Sequence, residues 1–224
     1  MDEPKRRWQF TAKDNAENDV TSEIEVLIQI ISLDRIAPDR FSALLVADLF
    51  GGFKAGRIDP HMVAREIQAL EAQERTGLRS SSQLLHPPLK GLWHKHYMQP
   101  GIASLARNVQ RGLKEYGIPY LQQKVREAEA AGEKRYFSAD DAAAIAKDAA
   151  AGNFLRLKAD DDLTGEWIIF AIHEGQNYYL SLGTHDQSTH EHLRDLIDAI
   201  CCREFPWLQA TLSKRASGPV NAIP

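Results

Sequence analysis

Residues 165–185 read GEWIIFAIH (165–173), EGQN (174–177) and YYLSLGTH (178–185). Trp167 to His173 and Tyr178 to His185 are dense in aromatic and β-branched side chains, which fit a pleated, half-buried surface. Glu174–Asn177 is polar and contains Gly175, so the spacing predicts an antiparallel hairpin with a four-residue turn. Beyond it, Ser188 and Glu191 have capping-box spacing. Leu193, Leu196, Ile197, Ile200 and Cys201 then recur at helical intervals as far as Pro206. A small antiparallel sheet late in the chain, closed by a C-terminal helix, follows from these two patterns.

Upstream the pattern is helical. Ser22–Glu25 has capping-box spacing, and Ile24, Leu27, Ile28 and Ile31 form an apolar stripe. Phe41, Leu44, Leu45 and Leu49 form a second stripe, with Gly51–Gly52 read as its stop. Asp59–Pro60 is an N-cap with a first-turn proline, and Val63, Ile67 and Leu70 carry the helix behind it. The expected order is a helical region (20–77), a basic linker with a His/Trp/Tyr cluster (78–101), an α+β region (102–208) and a flexible tail (213–224). Within the third of these, Ser138 and Asp141 start an Ala-rich helix that ends at Gly152, and the alternating Asn153–Lys158 reads as short extended chain. Helices and strands segregated in this way indicate the α+β class.

Composition narrows the function classes. The 224 residues carry 27 Lys+Arg against 31 Asp+Glu, a formal charge of −4, with 43% apolar residues, which suits a folded chain of ordinary kind. No apolar run approaches the ~20 residues of a membrane span, so no membrane association is expected. The basic opening residues lack a hydrophobic region behind them, so no secretory signal is expected. The only cysteines, Cys201 and Cys202, are adjacent on a helical stripe and read as inert buried thiols; the cytoplasm is the simplest compartment. Neither a Gly-rich phosphate loop nor a Gly-x-Ser-x-Gly elbow is present, and no cofactor is expected.

Glu74 and Glu115 are consecutive acids, and the 40 residues between them hold seven cations: Arg75, Arg79, Lys90, Lys95, Arg107, Arg111 and Lys114. By subtraction from −4, the rest of the chain stands at −11. On a helix from Ile102, with apolar positions Ile102, Leu105, Ala106, Val109 and Leu113, the cations Arg107, Arg111 and Lys114 share the opposite face. Just before it, Lys90, Trp93, His94, Lys95, His96 and Tyr97 crowd ammonium groups, imidazoles, an indole and a phenol into a short segment. Cations attract phosphate and aromatic rings offer stacking surfaces, a combination suited to RNA or single-stranded nucleic acid. The block equally suits a solvated helix face, pairing with acids of the same chain, or an acidic protein partner. Asp160–Asp162 lacks the spacing of a calcium loop and reads as a solvated turn.

Metal-free phosphodiester cleavage needs a base for the 2′-hydroxyl, an acid for the leaving oxygen and cations for the developing charge. His94 and His96 point to one side of an extended segment, with Lys95 opposite, and His185 ends the second hairpin strand. These three histidines are the candidate catalytic residues. Lys90, Trp93, Lys95, Tyr97, Arg107, Arg111 and Lys114 are the candidate phosphate and base contacts. A metal is the competing use of His94 and His96, with His185–Asp186 or His190 and His192 completing the set; His190 and His192 lie two apart on a helix and diverge, so no metal site is assigned. His96 to Ser104 also fails the JAMM metalloprotease pattern, because Arg107 stands where that pattern needs Asp.

The hairpin of residues 165–185 resembles the central hairpin of RelE/ParE-type toxins, small α+β proteins of which many cleave mRNA on the ribosome. Two positions depart from that pattern: Ile168 stands where those toxins have Arg, and Asp186 follows His185 where Arg is usual. The resemblance implies a metal-independent ribonuclease of toxin or phage-defence type, with the N-terminal helices as an added region. The alternative is a non-catalytic interaction protein, an immunity, antitoxin or adaptor protein that docks an acidic partner on its basic face.

Overall fold

The hairpin forms, and it recruits a further strand from the basic segment. The computed structural model describes residues 11–14, 16–99, 101–132 and 138–212. Its first elements are helices α1 (Thr21–Ile30), α2 (Leu33–Ile36), α3 (Ala43–Lys54) and α4 (Pro60–Ala72), then strands β1 (Ser82–Gln83) and β2 (Trp93–Tyr97). Helices α5 (Ile102–Tyr116), α6 (Pro119–Ala131), α7 (Ala139–Lys147) and α8 (Asn153–Ala159) follow, then β3 (Glu166–His173) and β4 (Gln176–Gly183). Helices α9 (His190–Leu196), α10 (Cys202–Glu204) and α11 (Leu208–Thr211) complete the order. The class is α+β, with one antiparallel sheet in the order β1-β2-β3-β4. The opening residues read against a secretory signal and the tail 213–224 lie outside the described residues. Among the described residues no helix is long and apolar enough to cross a membrane.

The chain divides into two compact units. The first takes the chain up to Glu74, Ser81–Tyr97 and the chain from Glu166 onward. Its sheet is covered on both faces. One face meets Leu45, Leu49, Val63 and Ile67 of α3 and α4 through Tyr97, Ile168, Phe170 and Tyr179. The other meets Leu193, Ile197, Cys201 and Leu208 through Ile169, Ala171 and Leu180. The free side of β4 is occupied by residues 40–42: Ser42 N donates to Tyr179 O at 2.9 Å and Tyr179 N to Arg40 O at 2.8 Å. This blunts an edge that would otherwise template pairing.

The second unit comprises Arg75–Ser80 and Met98–Gly165. Its small core is Leu78, Leu157 and Leu163. Helix α5 buries Ser104, Asn108 and Gly112, not its apolar stripe; Ile102 is 86% and Leu105 50% exposed. Gly112 explains the inversion, since a Cβ there would lie 2.7 Å from the Asn153 Cβ. Asn108 supports it, bonding both the amide and the carbonyl of Thr164 at 2.9 Å. The triplet Asp160–Asp162 is not a solvated turn. Asp161 pairs with Arg75 and accepts from Gly77 N at 2.9 Å, while Asp162 pairs with Arg79 and Arg111. Burial alone would raise the Asp162 carboxyl; the two guanidinium groups outweigh it and hold it below the ordinary range.

Several local expectations are corrected. The 78–101 segment contributes β1 and β2 to the sheet, because WHKHY has the alternation that a two-faced strand needs. Asn153–Lys158 is helical: the helix from Ala139 passes through a π turn at Asp148–Gly152 and continues as α8, burying Leu157. Helix α3 runs through Gly51–Gly52, and Gly52 lies directly under the Ile58 side chain. The hairpin turn is two residues, Glu174 and Gly175, both at positive φ (50° and 77°), the twist that suits the flanking strands. Helix α1 has no side-chain cap, and Asp186 rather than Ser188 caps the turn before α9. The Asp59 cap and the Ser138–Asp141 capping box are as expected.

Glu71 on α4 ties the first unit together. It pairs with Arg40 and accepts from Tyr179 Oη at 2.6 Å and Asn177 Nδ2 at 3.2 Å. Burial works against its ionisation, but these donors hold the carboxyl below its ordinary 4.5. Its stabilising contribution is therefore present above the unfolded value and is lost as pH falls through the lower folded one. Glu71→Gln is expected to lower the unfolding free energy at neutral pH by about 1.5–3 kcal/mol. Urea titrations of both proteins at neutral and strongly acidic pH should show that difference shrinking in acid.

Candidate functional site

Strand register builds the site. Antiparallel pairing sets His94 opposite Ile169 and His96 opposite Trp167, and Trp167 opposite Gly183 of β4. Cross-strand partners share a face, so His94, His96 and Trp167 stand together. His185 lies just past the end of β4 and turns its ring back onto the same group. Its ring stacks on His96 at 5.3 Å with an 18° interplanar angle. His94 meets His96 edge-on at 5.3 Å. Trp167 is the common neighbour, 4.6 Å from His94, 4.9 Å from His185 and 5.4 Å from His190.

The three candidate histidines thus converge, with graded access. His185 is exposed, His94 half-buried and His96 only 4% exposed. His94 and His185 each contact His96, so an exposed and a half-buried imidazole adjoin a buried one, with the Nδ1 of His94 itself buried. Such rings can accept a proton at one point and donate one at another. The indole Nε1 of Trp167 is buried and has no hydrogen-bond partner among the described residues. No group of three His, Cys, Asp or Glu among the described residues is placed to hold one metal ion.

The other candidates separate. Lys95 points to the opposite face, is 5% exposed and pairs with Glu66 of α4 at 3.7 Å. Tyr97 is 2% exposed in the core beneath the sheet. Neither is available to a phosphate or a base, which corrects their assignment; the alternation that brings the histidines together sends both inward. Trp93 is half-buried against the same core, 6.3 Å from Phe170. Lys90 is exposed in the first unit. Arg107 and Lys114 are exposed on α5 of the second unit, where Arg111 is engaged by Asp162.

Trp167 was not among the sequence candidates, and His190 stood there only as an alternative metal ligand beside His192. Trp167 was legible only as a strand residue, since its role depends on its partner across β2. Cys201 is buried, and burial pushes its thiol up to about 12, in keeping with an inert role. Compared with known proteins, the chain matches no family model, no curated protein and no solved structure.

Removing the Lys95 cation leaves Glu66, 1% exposed, without that partner in the core. Lys95→Met is expected to cost about 3 kcal/mol of stability, and adding Glu66→Leu to recover most of it. Lys90→Ala should change stability by no more than about 0.5 kcal/mol. Chemical denaturation of the three variants checks this.

Proposed function

We propose that this protein binds RNA or single-stranded nucleic acid and cleaves RNA without a metal ion, as a ribonuclease of toxin or phage-defence type. The observation that carries the reading is the grouping of exposed His185 and half-buried His94 with Trp167 and buried His96. One accessible imidazole takes the proton of a 2′-hydroxyl, and O2′ attacks phosphorus. The bond from phosphorus to O5′ breaks, and the other imidazole protonates the departing oxygen. His96 supports the two rings from below, because a side chain so buried does not reach the reacting atoms. Lys90 is exposed in the unit that holds the histidines and is the phosphate contact beside them; Arg107 and Lys114 are exposed on the second unit. An RNA substrate fits a cytoplasmic protein, and the hairpin's resemblance to RelE/ParE-type toxins points the same way.

A second reading has its own observation. Leu121 and Val125 of α6 are exposed, as are Ile102 and Leu105 of α5, and neither α6 nor α7 buries a residue. Such surfaces suit a protein partner, and an interaction protein of immunity, antitoxin or adaptor type would use them. Charge reversal at Arg107 and Lys114 would then weaken a complex with an acidic partner.

Purified protein, stripped with EDTA and incubated with labelled RNA, separates the readings. His185→Ala and His94→Ala are each expected to slow cleavage by roughly 10²–10⁴-fold while RNA affinity stays nearly unchanged. Cleavage at the wild-type rate in both variants would remove the mechanism. Salt-sensitive binding without cleavage would reduce the reading to a nucleic-acid-binding protein.

A further inference from the structure

His190 opens α9, and its ring lies 5.4 Å from Trp167. Its Nε2 is 3.0 Å from the carbonyl oxygen of Thr184. A carbonyl oxygen only accepts, so the ring carries its hydrogen on Nε2. Thr184 is the residue immediately before His185. The residue after it, Asp186, is held as tightly. Its amide donates to Thr184 Oγ1 at 3.2 Å, its carboxylate accepts from Ser188 N at 3.0 Å and Ser188 Oγ at 2.8 Å, and its carbonyl accepts from Thr189 Oγ1 at 2.7 Å. The backbone on both sides of His185 is therefore tied down within residues 184–190, and the His185 ring lies flat on His96.

The His190 bond differs from the others in this loop. The Asp186, Ser188 and Thr189 bonds close the turn on itself. His190 both grips the loop, through Thr184, and packs its ring 5.4 Å from the indole at the centre of the cluster. We propose that His190 is a positioning residue: its Nε2–H holds the Thr184 carbonyl, its ring rests against Trp167, and together these keep His185 stacked on His96. The catalytic consequence rests on the ribonuclease reading above; the structural consequence does not. A reacting group displaced by about 1 Å loses on the order of 10²-fold in rate, so a ring at a loop apex needs such support.

The test uses the full chain with His190→Ala, His190→Gln and His190→Asn. Gln carries its amide nitrogen at the reach of Nε2, and Asn at the reach of Nδ1. The first readout is the set of nuclear Overhauser contacts between the His185 and His96 rings in the resting protein. These are expected to persist in the Gln variant and to vanish in the Ala and Asn variants. The second is cleavage of labelled RNA in EDTA: kcat should fall on the order of 10²-fold in His190→Ala, with KM nearly unchanged, and recover in His190→Gln. Ring contacts and kcat at wild-type level in His190→Ala would overturn the proposal, as would equal impairment of Ala and Gln. If the wild-type protein does not cleave RNA, the ribonuclease reading falls, and the ring contacts alone decide whether His190 positions His185.

Discussion

A lysine and a glutamate meet inside the first unit, and the geometry of the site follows from where they meet. Lys95 and Glu66 are both almost fully buried, 3.7 Å apart, between β2 and α4. A buried charge without a partner is among the costliest features a fold can carry. Sliding β2 by one residue would turn Lys95 to the face packed by α9 and away from Glu66, and would drive His94 and His96 into the core. The observed register avoids both penalties. It sets His96 opposite Trp167, and the imidazoles gather on the sheet face opposite Lys95.

A different solution to the same electrostatic problem holds the second unit. The acid-free block has its counter-charges in Asp161 and Asp162, which bind Arg75, Arg79 and Arg111 from more than 50 residues away for the nearest of them. These pairs join Arg75–Ser80 to the segment before β3, alongside the bridge between Leu78 and Leu163. Much of the charge asymmetry along the chain is thus resolved within this unit. Lys90 in the first unit and Arg107 and Lys114 in the second are exposed.

Local chemistry explains which elements were legible in the sequence. The hairpin, the Asp59 cap, the Ser138 capping box and the in–out alternation of His94, Lys95 and His96 each depend on a few adjacent residues, and each is present. The misreadings share a different origin. Asn153–Lys158 alternates like a strand, but the Ala-rich helix before it carries through a π turn and α8 buries Leu157. On α5 the close approach at Gly112 outweighs the apolar stripe. Lys95 and Tyr97 belong to the right segment, yet the alternation that recommends the histidines removes them from the surface. Trp167 and His190 gain their roles only through cross-strand pairing and a loop closure, neither of which has a local signature.

The most direct test of the account is the chemistry of the ends it leaves. End-labelled RNA is incubated with the purified, EDTA-treated protein, beside the same RNA carrying a single 2′-deoxy nucleotide at the cleavage position. Imidazole acid–base catalysis through the 2′-hydroxyl predicts a 2′,3′-cyclic phosphate and a 5′-hydroxyl, with the deoxy-substituted site left intact. Cleavage that leaves a 3′-hydroxyl and a 5′-phosphate, or that proceeds at the deoxy site, would contradict it.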